Sequence, residues 1–157
     1  MEIEHRLDRI ESRIAILDLT ARYCHGADGR DVSAFRSVWH PEATWDVSTR
    51  QFHGLEQIVE AVAQQWESFA SMHHSTSNPI IEFTSDDDAT GRHDVLTLTV
   101  LRNGQALLST GQYVDRYARS DGRWAITERH GSVAETVQLS APLINDVSRS
   151  TGVLGLD

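Results

Sequence analysis

One carboxylate, Asp28, stands where the first predicted helix would be expected to carry an apolar side chain. Apolar residues recur there at alternating steps of four and three, which is the spacing of one helix face. The positions that follow this spacing are Ile3, Leu7, Ile10, Ile14, Leu17, Ala21, Cys24 and Asp28. If the stripe faces the core, burial and the negative end of the helix dipole both disfavour the ionised form of Asp28. A carboxylate in such an environment is suited to act as a general base. Because aspartate is common in turns, a plain turn over residues 27–30 is the alternative.

Two adjacent histidines, His73 and His74, open a polar stretch that runs to Asn78 and leads into a strand predicted over residues 80–83. Six polar residues entering a core strand suggest a strand face that lines a polar cavity. Histidine titrates near neutrality and is the commonest general acid–base group. Successive strand residues point to opposite faces, so only one of the pair can enter the cavity. The alternative is that both are hydrogen-bonded loop or surface histidines.

Several further side chains are candidates for the same pocket. Tyr23 lies five residues before Asp28, and its hydroxyl could donate a hydrogen bond to a developing oxyanion or leaving group. A half-buried tyrosine on the helix flank is the alternative. Strand alternation places Arg129 and His130 on opposite faces, and the sequence leaves open which of them reaches the pocket. The remaining candidate pocket residues are Trp45, Trp66, Phe69, Asn78 and Tyr113.

Metal and cofactor motifs are weak or missing. The chain has eight histidines, but none forms an HxH or HExxH pattern, and Cys24 is the one cysteine. The spacing typical of zinc sites is therefore absent. The sequence also has neither a glycine-rich phosphate loop nor the GxSxG turn of esterases. We therefore predict no metal and no cofactor.

Composition narrows the possible partners and compartments. The 157 residues carry a formal net charge of −9, and an acidic surface repels phosphate backbones and anionic lipid, so we expect neither nucleic acid nor membrane as a partner. A single cysteine allows no intramolecular disulfide. No signal-peptide pattern opens the chain, and no stretch approaches the ~18 apolar residues of a membrane span, so a cytoplasmic location is expected.

The order of predicted elements indicates an α+β fold. Helices are predicted up to Gly29, over 32–39 and over 54–69, and strands over 43–47, 80–83, 95–101, 106–117 and 124–133. Hairpin signals at Asn103-Gly104 and Asp121-Gly122 join the last three strands. Helices that precede an antiparallel sheet predict a cone-shaped single domain over 1–140, with three helices on a curved antiparallel sheet and a pocket between them. Residues 141–157 are predicted to form a C-terminal tail.

These features resemble the SnoaL-like branch of the nuclear-transport-factor-2-like superfamily. The resemblance lies in the helix end over 21–31, the Val-Trp-His-Pro-Glu-Ala-Thr-Trp segment over 38–45, His74 placed four residues before Asn78, and the closing hairpin over 113–126. The sequence is similar there to scytalone dehydratase, hexachlorocyclohexane dehydrochlorinase and bile-acid 7α-dehydratase. In these groups an aspartate at the end of the first helix pairs with a histidine at the start of the first long strand.

The resemblance spans residues 5–135 and implies a catalytic dyad in which His74 removes a proton while Asp28 orients the imidazole and stabilises its positive charge. Tyr23 is the candidate acid for the leaving group. The implied activity is a cofactor-independent lyase, of dehydratase or dehydrohalogenase type, acting on a small and largely apolar cyclic substrate. The resemblance also implies a homo-oligomer, dimer or trimer, formed through the outer sheet face.

Two alternative functions remain open at this stage. The same pocket would suit an isomerase or cyclase of polyketide or steroid type, although the aspartate base of ketosteroid isomerases has no convincing counterpart here. The second histidine of scytalone dehydratase is also missing from residues 96–100. A non-catalytic small-molecule-binding module is the other alternative, because fold does not fix function.

Overall fold

The computed structural model describes residues 2–47 and 49–139, which contain three helices and six strands. The helices are α1 (Glu2–Gly29), α2 (Val32–Ser37) and α3 (Leu55–Ser68); the strands are β1 (Trp39–Val47), β2 (Arg50–His53), β3 (Phe69–Phe83), β4 (Asp88–Leu101), β5 (Ala106–Ser120) and β6 (Arg123–Leu139). None of the helices in these ranges is both long and apolar enough to cross a bilayer. The predicted tail over 141–157 lies outside the described residues.

The six strands form one mixed sheet in the order β2-β1-β6-β5-β4-β3. Neighbouring strands are antiparallel except for β1 and β6, which pair in parallel. The predicted α+β class is therefore confirmed, whereas the prediction of a purely antiparallel sheet is wrong. The parallel pair arises because β1 joins the sheet beside the last strand of the chain, where Trp45 lies opposite Arg129.

Both predicted hairpins form, and the strands are longer than predicted. Asp121 and Gly122 have φ values of 52° and 74°, which matches the positive φ values that a type I′ turn requires. The strand predicted over 80–83 begins instead at Phe69 and takes in His73 and His74. Its polar residues were expected to precede the strand, but they belong to it because they pair with β4 along most of its length.

The face of α1 that packs on the protein is not the predicted apolar stripe. Ile3, Leu7, Ile10 and Ile14 are each more than half exposed. The buried residues of the helix are Ser12, Ile16, Leu19, Thr20, Tyr23, Cys24, Gly26 and Ala27. At about 100° per residue, the centre of this buried face lies roughly 140° from the stripe. The prediction that the stripe points inward is therefore wrong for these four residues, whereas Cys24, further along the same stripe, is buried.

Ion pairs explain why the first half of α1 docks through a polar side. Arg119 of β5 donates to Asp8 at 2.6 Å, and Arg9 donates to Asp86, beyond the end of β3, at 2.7 Å. The side chain of Arg13 also donates to a backbone carbonyl of β3 at 3.1 Å. Because these charged groups need partners on the sheet side, the apolar stripe is left facing solvent.

Close packing fixes the second half of α1 against the other helices. A Cβ atom on Gly26 would lie 2.6 Å from the backbone nitrogen of Phe35 in α2, so this approach depends on glycine. From α3, the indole nitrogen of Trp66 donates to the carbonyl of Ala27 at 2.7 Å. These contacts hold the end of the helix, and with it Asp28, in one place relative to the sheet.

Candidate active site

The end of α1 is tied directly to the start of β3. Gly29 ends the helix, and Arg30 adopts a positive φ of 56°. The guanidinium of Arg30 donates to the carbonyls of Phe69 and Ala70 at 2.9 and 3.0 Å. This link aligns the last turn of α1 with the residues of β3 that follow, so that Asp28 faces His74.

Asp28 and His74 form a tightly hydrogen-bonded pair. One carboxylate oxygen lies 2.5 Å from Nδ1 of His74, and the other accepts the backbone N–H of His74 at 2.8 Å. The two side chains are only 16% and 12% exposed. With the carboxylate ionised, Nδ1 carries the ring proton and Nε2 is left with a free lone pair, which is the arrangement of a positioned general base.

Of the adjacent histidines, His74 is the one that enters the protein. His73 is 75% exposed, and its Nδ1 lies 3.7 Å from the nearer oxygen of Asp28, beyond hydrogen-bonding distance. Because successive strand residues point to opposite faces, His74 lies on the sheet face that α1 covers and His73 lies on the other face. The alternatives of a plain turn at Asp28 and a surface position for His74 are wrong, because Asp28 belongs to α1 and the side chain of His74 is only 12% exposed.

A cavity of about 210 Å³ lies beside the dyad, between the helices and the inner sheet face. Tyr23, Phe69, His74 and Tyr113, all candidates from the sequence, line it. The other lining residues are Val47, Gln65, Met72, Val95, Thr97, Thr99, Ser109, Thr110, Gly111, Gly131, Ser132 and Val133. A small organic molecule in this space would meet His74 directly.

A second depression, of about 370 Å³, lies on the other side of the pair. Asp28, His25 and His73 line it together with His74 and small or polar neighbours. His74 is the only residue of the described chain that lines both spaces. His74 therefore lies between the inner cavity and a more polar surface, and Asp28 borders the polar side.

Arg129 packs against the two tyrosines of the cavity. Its guanidinium carbon lies 4.2 Å from the ring centroid of Tyr23 and 4.3 Å from that of Tyr113. Nε and Nη2 donate to Asp115 at 2.8 and 2.7 Å. Burial raises the pKa of Tyr23 to about 12, with Arg129 opposing the rise, and burial also raises the pKa of Tyr113. Both tyrosines are therefore neutral hydroxyl groups at pH 7.

The remaining sequence candidates lie away from the cavity. Trp45 and Trp66 are buried in the core, and Asn78 is exposed, donating to Asp94 at 2.7 Å. His130 is 55% exposed and pairs with Asp46 at 3.0 Å. Of the two residues left undecided, Arg129 is the one that faces the helices, though it supports the cavity from behind the tyrosines and does not line it.

Sequence reasoning missed a buried polar network and much of the cavity wall. Tyr117 donates to Asp115 at 2.6 Å and lies 3.1 Å from Nε2 of His93, all within the interior. Burial lowers the pKa of His93, with Asp115 opposing the shift. Alternation along β4 and β5 could have placed these residues on the inner face, since Val95 and Tyr113 follow at the same parity.

In the part of the chain that the structure describes, no group of three or more His, Cys, Asp or Glu side chains is placed to hold a metal ion. Cys24, beside the dyad, is buried, and burial raises the pKa of its thiol to about 11. The thiol is therefore protonated at neutral pH and is not an activated nucleophile. Acid–base chemistry by Asp28, His74 and the tyrosines is what the site offers.

Fold and site together define a small α+β domain that holds a His–Asp pair beside a ligand-sized cavity. The chain belongs to the SnoaL-like domain family, which matches residues 8–130, and with it to the nuclear-transport-factor-2-like superfamily. Hexachlorocyclohexane dehydrochlorinase 1 from Sphingobium indicum is 32% identical over 128 residues, a match covering 80% of this chain and 83% of that protein.

Solved structures agree with this relationship. A hexachlorocyclohexane dehydrochlorinase from Novosphingobium barchaimii, 32% identical, superposes with a TM-score of 0.82 over 87% of this chain and 95% of its own. A protein from Novosphingobium aromaticivorans assigned as a scytalone dehydratase shares the fold, with 19% identity, a TM-score of 0.78 and coverage of 91% and 97%. The family relationship makes this protein a lyase-type enzyme.

Proposed function

We propose that the protein is a cofactor-independent lyase in which His74 removes a proton from carbon and the neighbouring carbon loses its leaving group. The observation that carries the proposal is the pair itself: Nδ1 of His74 lies 2.5 Å from Asp28, and the same residue lines the inner cavity. A carboxylate on Nδ1 fixes the tautomer and stabilises the imidazolium that forms, as base–orienter pairs do in other enzymes.

The size and lining of the cavity support a small cyclic substrate. The space of about 210 Å³ is below the usual range of ~300–1,000 Å³ for drug-sized ligands, which favours a compact ring system. Phe69, Met72 and Val95 supply apolar contact surface on its wall. We propose that Tyr23, whose ring centroid lies 6.1 Å from that of His74, assists the leaving group as a hydrogen-bond donor or acid.

Elimination is favoured over isomerisation because the curated relatives are dehydrochlorinases, whose named reaction is an elimination. The substrate of those relatives is not transferred to this chain. An isomerase or cyclase would use the same base without a leaving group, and a binding module would use neither. The mass of the product separates the first two, since elimination lowers the mass of the substrate and isomerisation leaves it unchanged.

The test is turnover of a panel of cyclic ketones, alcohols and halides by the protein and by His74→Ala and Asp28→Asn, with products analysed by mass spectrometry. We expect the wild-type protein to release an unsaturated product and each variant to lose at least ~10³-fold in kcat. His73→Ala is the matched control, because the neighbouring imidazole is exposed, and should retain most activity. An active His74→Ala variant would contradict the dyad.

We further propose that copies of the chain associate through the outer sheet face. Ile80, Leu96 and Val114 are 57%, 42% and 44% exposed, and alternation puts them opposite the face that α1 covers. Exposed apolar groups on a sheet face favour association. Light scattering after gel filtration should report a dimer or trimer, and Val114→Glu should shift it towards monomer. A wild-type monomer at micromolar concentration would refute this proposal.

A further inference from the structure

Four large apolar side chains of α1 form an exposed seam along the first half of the helix. Ile3, Leu7, Ile10 and Ile14 are 71%, 53%, 56% and 56% exposed. They recur at steps of four and three, so that Leu7 and Ile14 take the a positions of a heptad and the other two take the d positions. A seven-residue repeat keeps such side chains in line along two packed helices. The exposed seam therefore has the pattern of one side of a coiled-coil contact.

The fold holds this exposed seam outward. Asp8 accepts a hydrogen bond from Arg119 of β5 at 2.6 Å. Arg9 donates to Asp86 at 2.7 Å, and together the two ion pairs fix the rotation of α1 about its own axis. At about 100° per residue, the centre of the buried face of the helix lies roughly 160° from the exposed seam. When two copies meet at their seams, the bulk of each domain therefore lies on the far side of its own helix.

Charged residues of opposite sign flank the exposed seam on its two sides. Arg6 and Arg13 occupy the g positions of the heptad, and Glu11 and Asp18 occupy the e positions. All four residues are exposed. Within the described residues, the side chains of Arg6, Glu11 and Asp18 make no hydrogen bond or ion pair. Arg13 donates from one nitrogen to the carbonyl of Ile81 at 3.1 Å and keeps further N–H groups for a partner.

The signs of the two rows select the orientation of a partner helix. In parallel helices, a residue at g on one copy faces the residue at e five positions later on the other. This places Arg6 against Glu11, and Arg13 against Asp18, across the interface. In antiparallel helices e faces e and g faces g, so arginine would meet arginine and carboxylate would meet carboxylate. Because such like-charge contacts are unfavourable, the pattern fits a second copy of α1 that runs in the same direction.

We propose that copies of this chain associate in parallel through their α1 helices, with the exposed seam as the apolar centre and the two charged rows as its edges. This contact is separate from the outer sheet face of Ile80, Leu96 and Val114, because α1 covers the opposite face of the sheet. Short coiled coils are marginal when their helices must form on association, but α1 is already folded against its own sheet. The proposal concerns assembly and is independent of the chemistry at His74.

Sedimentation velocity over a range of protein concentrations tests the exposed seam. Val114→Glu serves as the background, so that association through the outer sheet face is disfavoured. We expect this background to associate, and Ile10→Glu to weaken the association at least ~10-fold, because a buried isoleucine is lost and like charges meet. Val32→Glu is the matched control, since this valine of α2 is 43% exposed but lies outside the seam. A background that stays monomeric at every concentration, or equal association of Ile10→Glu and Val32→Glu, would overturn the proposal.

A charge swap tests the parallel orientation. In the same background, Arg6→Glu should weaken the association, and adding Glu11→Arg should restore it. Neighbours on one helix are three or four residues apart, so residues five apart can compensate each other only between copies. All of these side chains are exposed, and unchanged melting temperatures should show that each variant is folded. A double variant that associates as weakly as Arg6→Glu alone would refute the parallel pairing.

A cysteine near one end of the exposed seam gives an independent measure of orientation. Parallel helices in register bring the two copies of residue 3 together, whereas antiparallel helices would hold them ~20 Å apart. Ile3→Cys should therefore form a disulfide between copies under a mild oxidant, visible as a band of doubled mass on a non-reducing gel. Val32→Cys should form far less of this band, and the native Cys24 is buried. Equal cross-linking of the two variants would contradict the parallel seam.

Discussion

Asp28→Asn tests whether the carboxylate sets the protonation state of His74. One oxygen of Asp28 lies 2.5 Å from Nδ1 of the imidazole, and the other accepts the backbone N–H of His74 at 2.8 Å. Asparagine has one acceptor oxygen, which the backbone N–H requires because it can act only as a donor. The amide NH₂ then faces Nδ1, so the ring proton moves to Nε2 and the lone pair that serves as the base is lost.

The expected loss follows from this change of tautomer. The same substitution in a Ser-His-Asp triad lowers kcat by about 10⁴, so we expect ~10³–10⁴ here, or about 4–5.5 kcal/mol. The free energy of unfolding should change little, since both contacts survive as neutral hydrogen bonds of the same shape. Steady-state turnover gives the rate, thermal unfolding gives the stability, and the ¹⁵N shifts of the imidazole report which nitrogen of His74 carries the proton.

Asp31→Asn is the control for this experiment. Asp31 caps α2 by accepting the backbone N–H of Ala34 at 3.0 Å, and asparagine is an equally good cap, so activity and stability should both be kept. An Asp28→Asn variant that retained more than a tenth of the wild-type kcat would refute the proposed role of the carboxylate. A drop in rate with the proton of the imidazole still on Nδ1 would refute it as well.

Three further predictions concern stability. Gly26→Ala should destabilise the fold by ~1–3 kcal/mol, because its Cβ would lie 2.6 Å from backbone, whereas Gly29→Ala, with nothing within 4 Å, should be near neutral; urea unfolding measures both. Arg129→Met should cost ~3–5 kcal/mol by leaving Asp115 buried and unpaired, and the added change Asp115→Leu should recover part of that loss in the same assay. Because burial lowers the pKa of His93, the unfolded state binds the extra proton first, so stability should fall as the pH drops below ~6.5. Melting temperatures from pH 7 to 5 should fall less steeply for His93→Gln than for the wild-type protein.

Local chemistry made several elements predictable from sequence. The hairpin at Asp121-Gly122 was predictable because few residues accept the positive φ values that its turn requires. The end of α1 at Gly29 was predictable because glycine is common at helix ends, although the residue that adopts the positive φ there is Arg30. The parallel pairing of β1 with β6 was not, because it joins segments some eighty residues apart, and neither turn residues nor the hydrophobic period indicate which distant strands become neighbours.

The buried face of α1 was mispredicted because hydrophobicity was weighed and ion pairing was not. Arg119, on β5, is more than a hundred residues from Asp8, so nothing local to the helix signals that its polar side is the one that docks. Asp28 nevertheless lies against His74. Its position follows from the end of the helix meeting β3, through the contacts of Arg30, and not from the stripe on which it was placed.

The position of His74 between the two spaces resolves two opposed requirements of a His–Asp base. The carboxylate must stay ionised to hold the imidazolium, and full burial would raise the cost of that charge. The imidazole must meet carbon acids in a space that excludes bulk water, where its interactions are strongest. Asp28 lines only the polar depression and His74 lines both spaces, so each residue lies in the environment that its proposed role requires. Filling the inner cavity by Met72→Trp should therefore suppress turnover while leaving the 2.5 Å contact and the imidazole tautomer intact. A variant that kept full activity would place the reacting substrate on the outer side of His74 and reverse this assignment.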